Sequence, residues 1–117
     1  MGYSKGIGKA VYLAFAKSRE YRGIAVNSMR LAEAQQVADE IKSLGFNSIA
    51  NQADMSKESD CVKLIEETIR HYSRIDVLVN NAGIQQEMAL EEISIEVWYK
   101  IIGVELTSPF VCSRAHA

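Results

Sequence analysis

Proline occurs once in this chain of 117 residues, cysteine twice, and aromatics make up 8% of it. With one proline, no internal repeat and no low-complexity run, nothing along the chain reads as a linker. At 48% hydrophobic content it is long enough to bury one core and too short for two, so residues 1–117 are read as a single domain or part of one. Cys61 and Cys112 have no CxxC or Cys/His neighbour, which removes metal and redox motifs. Set in apolar stretches, they read as buried free thiols and suit a reducing compartment. Thirteen basic residues stand against fifteen acidic ones with no Lys/Arg run longer than a pair, so no nucleic-acid or polyanion surface is expected. The longest apolar run, AVYLAFA, falls far below the roughly 20 residues that span a bilayer. The N-terminus lacks the order of regions found in a signal peptide, and a cytoplasmic protein is expected.

What is present is an alternation. From Lys9 to about Arg19, Val11, Ala14, Phe15 and Ser18 share one helical face behind a glycine turn. Residues 23–27 (GIAVN) form a short, nearly all-apolar run typical of a parallel strand covered on both faces. Leu31, Ala34, Ala38, Ile41 and Leu44 then step by three or four residues, and Gly45 follows as a left-handed cap. A weaker strand at 47–53 (NSIANQA) leads to Asp54 and to Ser56 as a helix N-cap. Val62, Ile65, Ile69 and Tyr72 make that helix's buried stripe. A third strand, 75–79 (IDVLV), ends in the turn composition Asn80-Asn81-Ala82-Gly83. Ser94 caps a last helical stretch running towards Ala117, with a kink or break near Gly103 or Pro109. The expected fold class is α/β, a parallel doubly wound sheet with helices on both faces.

A phosphate is best held where free backbone N–H groups meet a helix N-terminus and no Cβ stands in the way. The opening GYSKGIG supplies Gly2, Gly6 and Gly8, with the Ser4 hydroxyl and the Lys5 charge between them. By itself such a turn is as often a plain connector. In a doubly wound sheet the ligand lies across the carboxyl ends of the strands, here 27–30, Asp54-Met55 and 80–83. Asp54 suits acceptance from an adenine amino group, and equally an Asx turn at a helix start.

These three motifs together resemble the short-chain dehydrogenase/reductase family, whose pattern runs strand, TGxxxGxG, an Asp after the third strand, NNAG after the fourth, then a helix with an Asn. IDVLVNNAGIQ and WYKIIGVELTSPFVCSRA are similar to the branch holding bacterial glucose 1-dehydrogenases and 3-oxoacyl carrier-protein reductases. The resemblance covers essentially the whole chain and implies a Rossmann-type sheet with a nicotinamide cofactor. It implies that Gly2, Ser4, Lys5, Gly6, Ile7 and Gly8 line the pyrophosphate and adenosine ribose. Asp54 and Met55 then flank the adenine, and Asn80, Ala82 and Gly83 pass beneath the cofactor. An acid at the end of the second strand would favour NAD by holding the ribose 2′-hydroxyl. The chain offers Asn27-Ser28-Met29-Arg30 there, so Lys5 and Arg30 favour NADP, with NAD the alternative.

The departures from that pattern are as informative as the matches. Met1 stands where the family has the Thr ending its first strand, a central strand whose loss would leave two ladder edges unpaired. No Tyr in the chain stands four residues before a Lys, so the family's catalytic Tyr/Lys pair is not among these residues, and Tyr72 and Tyr99 read as helix-face aromatics. Glu105 occupies the position of the family's helix Asn, with Gly103 just upstream; a carboxylate buried there needs a partner or a raised pKa. His71 and His116 read as surface residues and Trp98 as core packing. The resemblance implies an NAD(P)-dependent oxidoreductase that moves a hydride between nicotinamide and an alcohol or carbonyl, this chain being its cofactor-binding portion and inactive alone. The alternative is a non-catalytic fragment or pseudoenzyme that binds nucleotide or pairs with intact subunits. For such pairing Ser108, Val111, Cys112 and Ala115 offer a small-residue helix face that equally suits ordinary core.

Overall fold

The computed structural model describes residues 6–18, 22–84 and 87–116. Helices and strands alternate as α1 (Gly6–Ser18), β1 (Gly23–Ser28), α2 (Leu31–Ser43), β2 (Asn47–Gln52) and α3 (Glu58–Tyr72). A 3-10 turn at Leu90–Glu92 precedes α4 (Ile95–Ile102), which runs through a π-helical segment, Gly103–Thr107, into α5 (Ser108–His116). The sheet is parallel, with β1 and β2 paired in register from Gly23 opposite Asn47 to Ser28 opposite Gln52. This is the α/β class read from the sequence. Helix ends follow local chemistry: Gly45, at φ +88°, takes the left-handed turn after α2, and the Ser94 hydroxyl accepts the Val97 N–H at the start of α4.

The segment 75–79 departs from expectation. It is extended but joins no ladder, and the only sheet among the described residues has two strands. Arg22 to Ala25 and Arg74 to Val79 instead face each other across a cleft of about 610 Å³. Ladder bonding needs a neighbour within about 5 Å, and the cleft keeps β1 beyond that reach.

The apolar interior is correspondingly split. One cluster joins α1, β1 and α2 through Tyr12, Val26, Val37, Ala38 and Ile41. The other joins α3, the π segment and α5 through Cys61, Leu64, Ile65, Val104, Val111 and Cys112. Tyr12 of the first and Ile65 of the second both line the cleft. The chain is drawn out to 50 × 27 × 21 Å, with a radius of gyration of 14.7 Å against about 13 Å for a compact domain of this length.

Several face assignments shift. In α1 the buried residues are Gly8, Tyr12 and Ala16, not Ala14 or Ser18, because the i, i+4 row lies on β1 while Val11 and Phe15 look into the cleft. In α3 they are Cys61, Leu64 and Ile65; Ile69 is exposed because the helix turns its inner face to α5. Lys57, not Ser56, is the N-cap. Trp98 is half exposed rather than core, since among the described residues no other helix or strand packs broadly over α4. His71 is exposed, with its ring edge-on to Tyr72, whereas His116 is partly buried and its Nε2 donates to the Ile75 carbonyl at 3.1 Å. Ser108, Val111 and Cys112, offered as a face for another subunit, pack against α3 within the chain. Cys61 and Cys112 are buried free thiols. No helix among the described residues is long and apolar enough to cross a membrane.

Candidate functional site

Helix α1 runs back along β1. Thirteen residues at about 1.5 Å rise match six strand residues at about 3.3 Å, so the start of α1 lies at the carboxyl end of β1. The buried Tyr12 fixes this alignment: its hydroxyl accepts the Asn27 N–H at 3.3 Å. Gly6 opens the helix at φ +60°, a conformation that suits glycine, and a Cβ built on it would meet nothing within 4 Å. Among the described residues, none crowds that position. Ile7 is exposed and Gly8 buried, while Gly2, Ser4 and Lys5 lie outside the described residues.

At the end of β1 the backbone turns at Met29 and Arg30 into α2. The Ser28 hydroxyl accepts the Arg30 N–H at 3.3 Å and donates to Glu33 at 3.2 Å. Arg30 reaches the same carboxylate only at 3.9 Å, with four-fifths of its side chain in solvent. An acid therefore does stand at this strand end. It comes from the first turn of α2, and only its fold into the Ser28 hydroxyl reveals it; the spacing Ser28 to Glu33 was the available signal.

Asp54 follows β2, and one carboxylate oxygen accepts both the Ser56 N–H at 2.9 Å and the Ser56 hydroxyl at 2.6 Å, an Asx turn. Its own N–H donates to Asp60. Partial burial pushes the Asp54 carboxyl up, but the Ser56 bonds and the charges of Lys57 and Lys100 outweigh it and leave the group below its ordinary value. The other carboxylate oxygen is not used by this turn. Met55 is buried and its carbonyl accepts the Cys61 thiol at 3.6 Å.

The turn at 80–83 is held from the helical side. Asn80 donates to Ser113, and Ala82 packs on the α3–α5 cluster. Glu105 projects from the π segment so that its carboxylate accepts the Ile84 N–H at 2.6 Å, and a Cβ on Gly83 would come within 3.0 Å of the same oxygen. Glu105 is exposed, so the penalty of a buried carboxylate does not arise. A small cavity is bounded jointly by Asn27, Met55, 79–82 and Ser108, which brings the ends of β1, β2 and 75–79 to one place.

That arrangement of strand ends before a glycine-opened helix has counterparts. The short chain dehydrogenase family profile matches residues 1–117. The chain belongs to that family. It is 39% identical over 115 residues to a 3-oxoacyl-[acyl-carrier-protein] reductase of Synechocystis sp., aligning 97% of itself with 46% of that relative. Among solved structures it resembles a 3-ketoacyl-ACP reductase from Sinorhizobium meliloti 1021 at a TM-score of 0.87 and 27% identity, over 97% of this chain and 44% of that one. It likewise resembles a short chain dehydrogenase from Burkholderia cenocepacia J2315 in complex with NADP, at a TM-score of 0.86 and 27% identity, over 97% of this chain and 46% of that one. The chain spans about half the length of the relatives it matches.

Proposed function

We propose that this chain forms the dinucleotide-binding part of a cytoplasmic NADP-dependent oxidoreductase acting on an alcohol or carbonyl. The observation that carries the reading is the convergence of the ends of β1, β2 and 75–79, at Asn27, Met55 and 79–82, together with the glycine-opened helix α1, whose Tyr12 hydroxyl bonds the end of β1. Gly6, Ile7 and Gly8, with Gly2, Ser4 and Lys5 upstream, would hold the pyrophosphate by backbone N–H groups. Asp54 keeps one oxygen for the adenine amino group while the Ser56 bonds fix its orientation. Asn80, Ala82 and Gly83 pass beneath the cofactor, and Met55 supports the adenine side from the core. A nicotinamide cofactor held by these residues would supply hydride transfer, and the contribution of this chain's residues would be its placement.

Arg30 is the residue free to swing towards a ribose 2′-phosphate, since its 3.9 Å approach to Glu33 is a solvent-screened ion pair of small worth. Glu33 opposes it and is the residue to watch for NAD use. Glu105 acts as a positioning residue, holding the 83–84 backbone under the site.

The test is a titration of the chain with NADPH and NADH, followed by nicotinamide fluorescence. Saturable binding is expected, tighter for NADPH. Gly6→Val should abolish it by filling the open space and straining the backbone; retained affinity would overturn the glycine assignment. Glu33→Gln should raise the NADPH preference several-fold and Arg30→Ala lower it. An unchanged ratio in both would show that neither reads the 2′ position.

A further inference from the structure

Cys61 and Cys112 stand far apart in the chain and belong to no sequence motif, yet the fold brings them together. Cys61 lies in the first turn of α3 and Cys112 in the middle of α5, where the two helices pack on each other. Each thiol is the other's side-chain hydrogen-bond partner, and the Ser108 side chain bonds to both. A lone buried thiol only fills the space of a small apolar side chain. Two in mutual contact, on different helices, are one two-electron oxidation away from a covalent link. Their surroundings also rank the sulfurs. Burial pushes both thiols up, but the bond from Cys112 favours ionisation of Cys61, whereas Cys61 raises Cys112 further. The start of α3 favours a thiolate at Cys61 as well. Exposures of 1% and 0% mean that an oxidant reaches the pair only when α3 and α5 part.

We propose that Cys61 and Cys112 are a redox-responsive pair that closes into an intrachain disulfide, the oxidant being a small-molecule disulfide of the glutathione class. The Cys61 thiolate attacks one sulfur of the oxidant, forms a mixed disulfide with it and expels the other half as a thiolate. The Cys112 thiolate then attacks the Cys61 sulfur, closing the bond between the two cysteines and expelling the second half. Two electrons pass from the cysteines to the oxidant, and the two thiol protons end on the two small thiols released. The link ties the start of α3 to α5. It also takes away the thiol hydrogen that Cys61 gives to the Met55 carbonyl at 3.6 Å, so the state of the pair is felt just beyond the end of β2. Under a reducing poise both cysteines stay thiols, and the bond forms as the poise shifts towards oxidation.

The test equilibrates the full 117-residue chain with mixtures of reduced and oxidised glutathione, in buffer and in concentrated urea, approached from both the reduced and the oxidised side. After acid quenching, mass spectrometry counts free thiols, glutathione adducts and cross-linked fragments. The expected product in buffer is a monomer lighter by two hydrogen atoms, with the fragments holding Cys61 and Cys112 joined. Its closure constant against glutathione should exceed the value in urea by at least about tenfold, because packed helices hold the sulfurs together while an unfolded chain must close the loop by chance. By linkage the oxidised chain should resist urea better than the reduced one, and added reductant should reverse the gain. A closure constant no larger in buffer than in urea would overturn the proposal. Glutathione adducts on both cysteines without a cross-link would do the same, as would disulfides that join two copies of the chain.

Discussion

Helix α2 with its two strands and helix α3 with the segment 75–79 are built from similar apolar residues, yet they reach different ends. Val26 and Ile41 on one side and Ile65 and Leu64 on the other are all buried. In the first unit β1 finds β2 directly alongside and forms a full parallel ladder. In the second, Ile75 and Leu78 pack on the α3–α5 cluster while the backbone between them bonds to no strand among the described residues. Apolar composition makes a segment extended and pulls it to a core. It becomes a strand only when another backbone lies within bonding distance.

The contrast can be broken by truncating each core. Ile41→Ala should cost about 2–5 kcal/mol in urea unfolding, because the buried side chain leaves a cavity between α2 and the sheet. Leu78→Ala, half-buried, should cost less than about 2 kcal/mol; equal losses would show that the second unit is as tightly packed as the first. Thiol labelling reports on the second unit directly. Burial pushes the Cys112 thiol up to about 12, with Cys61 beside it adding to the effect. Both thiols should therefore label only on opening of the α3–α5 unit, faster than β1 amides exchange. Labelling slower than that exchange would reverse the ranking. The same raised pKa means that the native state holds this proton more tightly than the unfolded chain. Its stabilisation is complete below pH 9 and is lost as pH rises towards 12, a dependence that Cys112→Ala removes.

A smaller effect is expected at Ser48, whose buried hydroxyl donates to the Ala38 carbonyl at 2.6 Å and ties α2 to β2. Ser48→Ala should cost about 1 kcal/mol, and a neutral result would place the α2–β2 contact wholly in apolar packing. The smallest is at Asp54. Its folded pKa lies below 3.8, so its contribution is present above that value and fades as pH falls through the lowered one. Asp54→Asn should flatten unfolding curves below pH 4 while leaving neutral stability nearly unchanged, and an unaltered acid limb would remove the Ser56 turn from the account.

Much of the architecture was legible because it is local. The glycine before α1, Gly45 after α2, Ser94 before α4 and the apolar run of β1 each act through neighbours a few residues away. The break near Gly103 was legible too, although its π-helical form was not, since the wider turn depends on how Val104 and Glu105 divide between core and the 83–84 backbone. What escaped was non-local. Trp98 looked like core because helical tryptophans usually meet a sheet, and here the partner surface is not over α4. Glu33 escaped because its role depends on the Ser28 hydroxyl turning towards it. His116 looked like surface until the Ile75 carbonyl, 41 residues away, proved to be its acceptor.

The order of the helices and of the two paired strands, the parallel class and the candidate residues at the strand ends were set by the sequence alone, because periodicity, caps and glycine conformations are properties of short segments. Where the Glu33 and Glu105 carboxylates attach, and which faces of α1, α3 and α4 are covered, came only with the assembled fold. Those outcomes depend on which surfaces meet in space, and a hydrogen bond or a buried contact has no free energy until its partner has arrived.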